Sequence, residues 1–173
     1  MTDYDFLITN FFHQFSNSQV NFFLTIVANL VYVVLLYFLL YFFRKNKKKQ
    51  LYLLLISGIV GIALTTALKY FINRPRPFPQ PADFLDILSG SSFPSRHSFL
   101  AGLAVYFLPK ELSKKIRNLY KIYFLIIVPL SLLIIGAHYI TDIVAGLGIG
   151  YLLPPALDKI LGNKTFVKRP KKK

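Results

Sequence analysis

Most of the reactive side chains in this 173-residue sequence lie in three short polar stretches. They are Lys69-x6-Arg76-Pro77, Pro94-Ser95-Arg96-His97 and His138-Tyr139-Ile140-Thr141-Asp142. Together they supply cations, a hydroxyl group, two imidazoles and a carboxylate. Lysine and arginine bind phosphate oxygens, and histidine can attack phosphorus or donate a proton. The three stretches therefore contain the groups needed to bind a phosphate ester and to break it.

The spacing in the third stretch predicts a pair of cooperating side chains. His138 and Asp142 are four residues apart, so they share one face if this segment is helical. Asp142 is expected to accept a hydrogen bond from one ring nitrogen of His138, which would leave the other nitrogen free to attack phosphorus. His97 is expected to start protonated and to donate to the leaving oxygen. Two histidines and an aspartate are also a possible metal site.

Four arginines and lysines near these groups argue against a metal ion, because they would repel it. We therefore predict neither a metal nor another cofactor. Ser95 would add a hydroxyl group to a phosphate site, and Pro94 suits the start of a helix, whose free N–H groups also bind phosphate.

The rest of the sequence is apolar enough for a membrane protein. Hydrophobic residues make up 54% of the chain and aromatic residues 16%, and a helix needs about 20 apolar residues to cross a bilayer. Backbone groups inside lipid must be hydrogen-bonded, so we predict an all-α polytopic membrane protein. About five spans are expected, over residues 22–43, 51–68, 98–108, 122–137 and 139–153. The third span is short, and Pro154 and Pro155 are expected to close the fifth.

The segment before the first span has a helical pattern of its own. Its apolar residues recur at helical spacing, and Thr2-x-x-Asp5 resembles a capping box. We interpret residues 1–20 as an amphipathic helix in the membrane interface, although its aromatic residues would also suit a packed core. The expected organisation is a single membrane-embedded domain, with a transmembrane core over residues 22–157 and a basic cytoplasmic tail over residues 158–173.

Basic residues outside the polar stretches predict the topology. Seventeen of the 21 lysines and arginines lie in residues 44–49, 110–121 and 159–173, which follow the first, third and fifth spans. The positive-inside rule places these segments in the cytoplasm and the N-terminus outside. They form no recognised nucleic-acid-binding module, so the net charge of +14 does not predict a nucleic-acid partner. The remaining cations are expected on the outer face, and they are Lys69, Arg74, Arg76 and Arg96.

The three stretches resemble a three-part family signature. Lys69-x6-Arg76-Pro77, Phe93-Pro94-Ser95-x-His97 and Ser131-x6-His138-x3-Asp142 are similar to the motifs of the type-2 phosphatidic acid phosphatase superfamily. That family comprises integral membrane lipid phosphatases and relatives of vanadium haloperoxidases. The resemblance implies a helical bundle, metal-independent hydrolysis and a phosphohistidine intermediate.

The resemblance also implies a role for each motif residue. His138 would be the nucleophile, Asp142 its orienting partner and His97 the acid. The residues implied to bind the phosphoryl group are Lys69, Arg76 and Ser95.

Two positions depart from the family pattern. The third motif usually begins Ser-Arg, but here Ser131 is followed by Leu132, and Arg96 replaces the usual glycine of the second motif. We hypothesise that Arg96 supplies the missing guanidinium from another loop, with Arg74 as a second candidate. The competing interpretation is a non-catalytic relative with an impaired site.

The expected substrate is a lipid phosphate, because the site faces outward at the membrane surface without a surrounding soluble domain. The resemblance narrows the substrates to lipid A, undecaprenyl diphosphate or phosphatidylglycerol phosphate, and the Pro-Ser-Arg-His variant is most similar to the lipid A 1-phosphatase branch. Residues 77–93 are expected to form a lip, and the expected location is a bacterial inner membrane with the site facing the periplasm. The alternative is a non-catalytic binder or flippase for anionic lipids, which would tolerate His138→Ala. A haloperoxidase-like oxidant is disfavoured by the spans.

Overall fold

The protein is a helical bundle in the computed structural model, which describes residues 3–79 and 90–162. Its helices are α1 Asp3–His13, α2 Ser18–Arg44, α3 Lys48–Ile72, α4 Arg96–Tyr106, α5 Lys114–Ile122, α6 Val128–Ile135 and α7 Ile140–Gly162. A π-helical segment, Tyr123–Ile127, joins α5 to α6, so residues 114–135 form one continuous helix. The all-α prediction is confirmed.

Within the described part of the chain, four helices are long and apolar enough to cross a membrane: α2, α3, the continuous helix over residues 114–135, and α7. The third of the five predicted spans corresponds to α4, which has only 11 residues and is not among these four. At about 1.5 Å per residue it is roughly half as long as the hydrocarbon core is thick. Residues 98–104 of α4 are all buried, so this apolar run reflects enclosure by the other helices.

The end of α7 also differs from the sequence prediction. Pro154 and Pro155 lie inside the helix, which continues to Gly162. A proline removes one backbone hydrogen bond, but membrane helices tolerate this where neighbouring groups or a local change of helix geometry satisfy the freed carbonyl group. The predicted boundary between core and tail at residue 157 therefore falls within α7. Residues 163–173 of the predicted tail and residues 80–89 of the predicted lip lie outside the described residues.

The N-terminal helix is shorter than predicted, and it exposes its apolar face. α1 ends at His13, and α2 begins after Asn17, whose side chain accepts a hydrogen bond from the backbone of Val20. The exposed apolar side chains of α1 are Tyr4, Phe6, Leu7, Ile8 and Phe11, while Asp5 and Thr9 are buried against α6 and α7. A helix with apolar residues outward and polar residues inward is suited to an apolar surrounding.

α4 and α7 pack closely because glycines on both helices leave room for the facing backbone. A Cβ atom on Gly102 would lie 2.3 Å from the carbonyl oxygen of Leu147, and one on Gly150 would lie 2.0 Å from that of Phe99. A Cβ atom on Gly146 would lie 2.4 Å from the carbonyl oxygen of Ser95. This contact places the start of α4 beside the start of α7, where the polar stretches meet.

Candidate active site

The first two polar stretches are joined through their backbones. Pro75 and Ser91 form an isolated antiparallel bridge, and the N–H of Ser92 donates to the carbonyl oxygen of Arg74 at 2.7 Å. Asn73 ends α3 in the left-handed region, with φ of 42°, and so redirects the chain toward this bridge. Residues 16 or more apart in sequence are thereby held side by side at one end of the bundle.

Lys69 lies in this junction, in the last turn of α3. It is only 2% exposed, and its Nζ donates to the carbonyl oxygen of Ser91 at 2.5 Å. A buried ammonium group needs such acceptors to offset its lost hydration. The contact aims the lysine at the segment that also positions His138.

The ring of His138 is oriented by a backbone carbonyl group. Its Nδ1 lies 2.8 Å from the carbonyl oxygen of Ser92, whereas Asp142 Oδ2 is 3.7 Å away, beyond hydrogen-bonding distance. The sequence interpretation had assigned this bond to Asp142. Because a carbonyl oxygen can only accept, Nδ1 must carry the proton and Nε2 must present its lone pair.

Asp142 is held in place by three other groups. Its Oδ2 accepts from the backbone N–H of Tyr139 at 2.9 Å, and its Oδ1 accepts from Arg74 at 2.7 Å. Its own carbonyl oxygen accepts from the N–H of Ser95 at 3.1 Å. The carboxylate is fully buried, so its charge acts on His138 with little screening.

The protonation state of His138 follows from this environment. Burial lowers the pKa of His138, and the nearby charges of Lys69 and Arg76 lower it further, although the adjacent Asp142 carboxylate opposes them. The imidazole is therefore neutral at pH 7, as a nucleophile must be.

Ser95 is the N-cap residue of α4 and is completely buried. Its Oγ accepts from the backbone N–H of Ser98 at 3.3 Å and from the Ser98 hydroxyl at 3.0 Å. Serine is a favoured N-cap residue because its oxygen satisfies an otherwise unpaired N–H group. Ser95 therefore fixes the direction in which the positive end of α4 points.

His97 follows in the first turn of α4 and contacts α2. Its Nε2 lies 3.0 Å from Asn29 Oδ1, and its ring packs edge-on against Tyr32. An amide oxygen accepts a hydrogen bond, so this contact places a proton on Nε2. Arg96 is the preceding residue and the first of α4, and its predicted phosphate-binding role remains a prediction.

Arg74 lies in the site, but it contacts carboxylates. Its guanidinium donates to Asp5 at 2.6 Å, to Asp142 at 2.7 Å and to the hydroxyl of Thr141 at 2.7 Å. It also stacks 3.9 Å above the ring centre of Tyr139. This geometry favours a structural ion pair over the phosphate contact that was predicted for Arg74.

Three site residues were missed by the sequence analysis. Ser92 acts through its carbonyl group, which every residue possesses, so no sequence signal marks it. Asn29 is a polar residue within an apolar span, so the sequence did contain a signal for it. Asp5 was interpreted as part of a capping box with Thr2, which lies outside the described residues, and its side chain contacts Arg74 and Thr141. Among the described residues, no group of three or more His, Cys, Asp or Glu side chains is arranged to hold a metal ion.

A large cavity lies at the other end of the bundle. It has a volume of about 1050 Å³, and its lining includes Lys47, Lys49, Lys110 and Tyr106 but none of the predicted site residues. The candidate active site lies at the opposite end, where the described residues combine an oriented imidazole with buried charged groups.

The chain belongs to the PAP2 superfamily, whose family model matches residues 49–163. The crystal structure of Aquifex aeolicus LpxE has the same fold, with a TM-score of 0.69 at 23% identity, covering 87% of this chain and 92% of that one. A PAP2-type phosphatidylglycerolphosphate phosphatase from Bacillus subtilis aligns with a TM-score of 0.68 at 25% identity, covering 94% of this chain and 87% of that one. Together with its four apolar helices, these matches identify a multi-pass membrane protein.

A sequence relative gives a partial match. Phosphatidylglycerophosphatase B of Bacillus subtilis (strain 168) is 33% identical over 101 residues, which cover 52% of this chain and 47% of that protein. The match thus spans about half the length of that curated relative.

Proposed function

We propose that this chain is a lipid phosphatase that hydrolyses a phosphate monoester or diphosphate on a membrane lipid through a phosphohistidine intermediate, without a metal ion. The observation that carries the proposal is the orientation of His138. Its Nδ1 donates to Ser92 at 2.8 Å, so Nε2 is the nucleophilic nitrogen. Membership of the PAP2 superfamily, whose family model spans all three motifs of the chain, supports the same conclusion.

In the first step, Nε2 of His138 attacks phosphorus and the phosphorus–oxygen bond to the lipid breaks. His97 donates a proton to the leaving oxygen, and the lipid product departs. In the second step, a water molecule gives its proton to His97 and attacks phosphorus. The phosphorus–nitrogen bond then breaks, which releases inorganic phosphate and restores both histidines.

Charge on the phosphoryl oxygens would be stabilised by groups from two motifs. Lys69 and Arg76 supply positive charge, and Ser95 directs the N-terminus of α4, where unpaired N–H groups favour anions. Phosphoryl transfer depends mainly on such positioning and charge stabilisation, so these residues would contribute to turnover as well as to binding.

The proposed substrate class is a lipid phosphate in a bacterial inner membrane, with the site facing the periplasm. Phosphatidylglycerol phosphate is the first candidate, because two of the relatives carry that activity in their names. Lipid A 1-phosphate and undecaprenyl diphosphate are the other candidates, on the resemblance of the motifs. The site lies where the apolar helix α3 ends and the apolar helix α7 begins, which supports a location at the membrane surface.

The test is release of phosphate from these three lipids by the purified protein in detergent micelles containing a chelator. We expect release from at least one lipid, unchanged by the chelator, and its loss in His138→Ala without loss of thermal stability. Rapid quenching should trap a phosphorylated protein that is stable to base and labile to acid. Binding without release, in both the wild-type protein and His138→Ala, would favour the non-catalytic lipid binder. Inhibition by the chelator would contradict a metal-independent reaction.

A further inference from the structure

The N-terminal helix contributes a buried carboxylate to the site. Asp5 is 4% exposed, and it lies beside Thr9, which is completely buried on the same face of α1. A carboxylate without water is costly unless it is paired and hydrogen-bonded. Its partners are all distant in sequence: Arg74 after α3, and the backbone and hydroxyl groups of Thr141 at the start of α7.

Arg74 joins this carboxylate to Asp142. One terminal nitrogen of the guanidinium contacts Asp5 at 2.6 Å, and the other contacts Asp142 at 2.7 Å. The ring of Tyr139 packs against the guanidinium plane at 3.9 Å and limits its rotation. A planar, always charged group with fixed donors can hold two carboxylates at a defined separation.

We infer that Asp5 is a positioning residue for the proposed hydrolysis, acting on His138 through Arg74 and Asp142. This inference rests on the proposed function for its catalytic consequence, but the network itself does not. With Asp5 present, the positive charge of Arg74 is shared between two carboxylates, and the cluster keeps one net negative charge near His138. Without it, Arg74 would neutralise Asp142 alone, and the carboxylate would stabilise a positively charged His138 less.

A purely structural role makes a different prediction. If Asp5 only attached α1 to the bundle, its loss would open the site to water and relieve the burial of His138. Any variant that breaks the network would then move the His138 titration upward, toward that of an exposed histidine. The positioning role instead predicts opposite shifts for the loss of Asp5 and the loss of Arg74.

The experiment is an NMR titration of ring-labelled histidines in detergent. The chain has only three histidines, so His138→Gln assigns the relevant signal. We expect Asp5→Asn to lower the pKa of His138, because one negative charge is removed, and Arg74→Gln to raise it. The groups that also act on this ring, Lys69, Arg76 and Asp142, are unchanged in both variants.

Turnover provides the second measurement. Asp5→Asn should lower kcat by roughly ten- to a hundredfold, as expected for a misplaced catalytic group, with KM nearly unchanged. Asp5→Glu should recover part of the loss. The double variant Asp5→Asn with Arg74→Gln should be more active than Arg74→Gln alone, because it leaves one buried carboxylate instead of two.

The outcomes separate the two proposals. Suppose that the two variants shift the His138 titration in opposite directions but that the wild-type protein releases no phosphate. This result would support the network and contradict the phosphatase function. An active wild-type enzyme whose kcat and His138 titration are unchanged by Asp5→Asn would overturn the positioning role. Upward shifts in both single variants would show that α1 is only a structural attachment.

Discussion

At the scale of single residues, the nitrogen of His138 that we propose to be reactive is selected by a hydrogen bond from Nδ1 to a backbone carbonyl group. Because Ser92 offers only a carbonyl oxygen, the ring adopts the Nδ1–H tautomer whether or not Asp142 is charged. Asp142 is left to act through its charge from 3.7 Å. Tautomer control and charge stabilisation, which one carboxylate provides in a Ser-His-Asp triad, are here divided between two residues.

This division predicts the effect of Asp142→Asn. Losing both functions of a triad carboxylate lowers turnover by about 10⁴-fold, and we expect a smaller loss here, of roughly 10²-fold, because Ser92 still holds the tautomer. Steady-state kcat of the purified variant provides the measurement, with Asp158→Asn at the other end of the bundle as a control of matched chemistry. A loss as large as that of His138→Ala would contradict the division of roles.

The pH dependence of hydrolysis should be set on its acid side by His138. Burial, together with Lys69 and Arg76, lowers the pKa of this imidazole, so Nε2 stays unprotonated at pH values where an ordinary histidine, with a pKa near 6.5, becomes charged. We expect kcat/KM to stay constant as the pH falls to about 6.5 and to decrease only below it. A profile of kcat/KM against pH in detergent tests this. An acid limb with its midpoint above 6.5 would assign the limb to another group.

Arg96 is expected to replace the arginine missing at Leu132. Arg96→Gly should lower kcat/KM by about 10- to 100-fold, the range of one lost charge-assisted hydrogen bond. Arg96→Lys serves as the control that keeps the charge without the bidentate geometry. Its kcat/KM should lie between those of Arg96→Gly and the wild-type protein. Leu132 is 3% exposed in the apolar core. Leu132→Arg should therefore fold stably only if its guanidinium group reaches the site. Wild-type activity in Arg96→Gly would refute the hypothesis.

At the scale of helices, the apolar pattern predicted which segments are helical better than it predicted their surroundings. The runs in α2 and α3 are long enough to identify a span by themselves. The run in α4 is also apolar, but it is enclosed by protein, and composition does not distinguish lipid from a protein interior. The end of α7 was missed because prolines stop helices in water more strictly than in a membrane.

The packing of α4 on α7 predicts different effects for neighbouring glycines. A Cβ atom on Gly146 would come within 2.4 Å of the carbonyl oxygen of Ser95, whereas one on Gly148 would meet nothing within 4 Å. Gly146→Ala should therefore destabilise the protein by about 1–3 kcal/mol and displace the start of α4, lowering activity. Gly148→Ala is the matched control, and its better helix propensity should leave stability equal or up to about 1 kcal/mol higher. Thermal unfolding and phosphate release measure the two effects, and equal behaviour of the variants would contradict this packing.

At the scale of the whole molecule, the two ends of the bundle have different ion pairs: lysines pair with carboxylates at one end, and Arg74 pairs with two buried carboxylates at the other. Lys47 pairs with Glu111, and Lys49 pairs with Asp158, so the start of α3, the segment after α4 and the C-terminal part of α7 meet at one end. Its hydrogen bond with Lys47 lowers the pKa of Glu111 to about 2, so this pair stays charged at neutral pH. The sequence placed these segments on one side by charge counting alone. It did not reveal the pairing of Asp5 with Arg74, since no periodicity links residues so far apart.

The orientation of these two ends in the membrane is the remaining prediction. α3 connects Lys49 to Lys69 over 20 residues, or about 30 Å of helix, which matches the hydrocarbon thickness. The positive-inside rule then places Lys110 in the cytoplasm and Gly90, next to the site, in the periplasm.

The chain contains no cysteine, so Gly90→Cys and Lys110→Cys each provide one labelling site without background. Both positions are exposed, and a Cβ atom on Gly90 meets nothing within 4 Å. A membrane-impermeant maleimide added to intact spheroplasts should label Gly90→Cys, and it should label Lys110→Cys only after permeabilisation. The reverse pattern would place the site in the cytoplasm. Labelling of both variants in intact spheroplasts would mean that residues 90 and 110 lie on the same side of the membrane. That result would contradict a chain that crosses the membrane between these two residues.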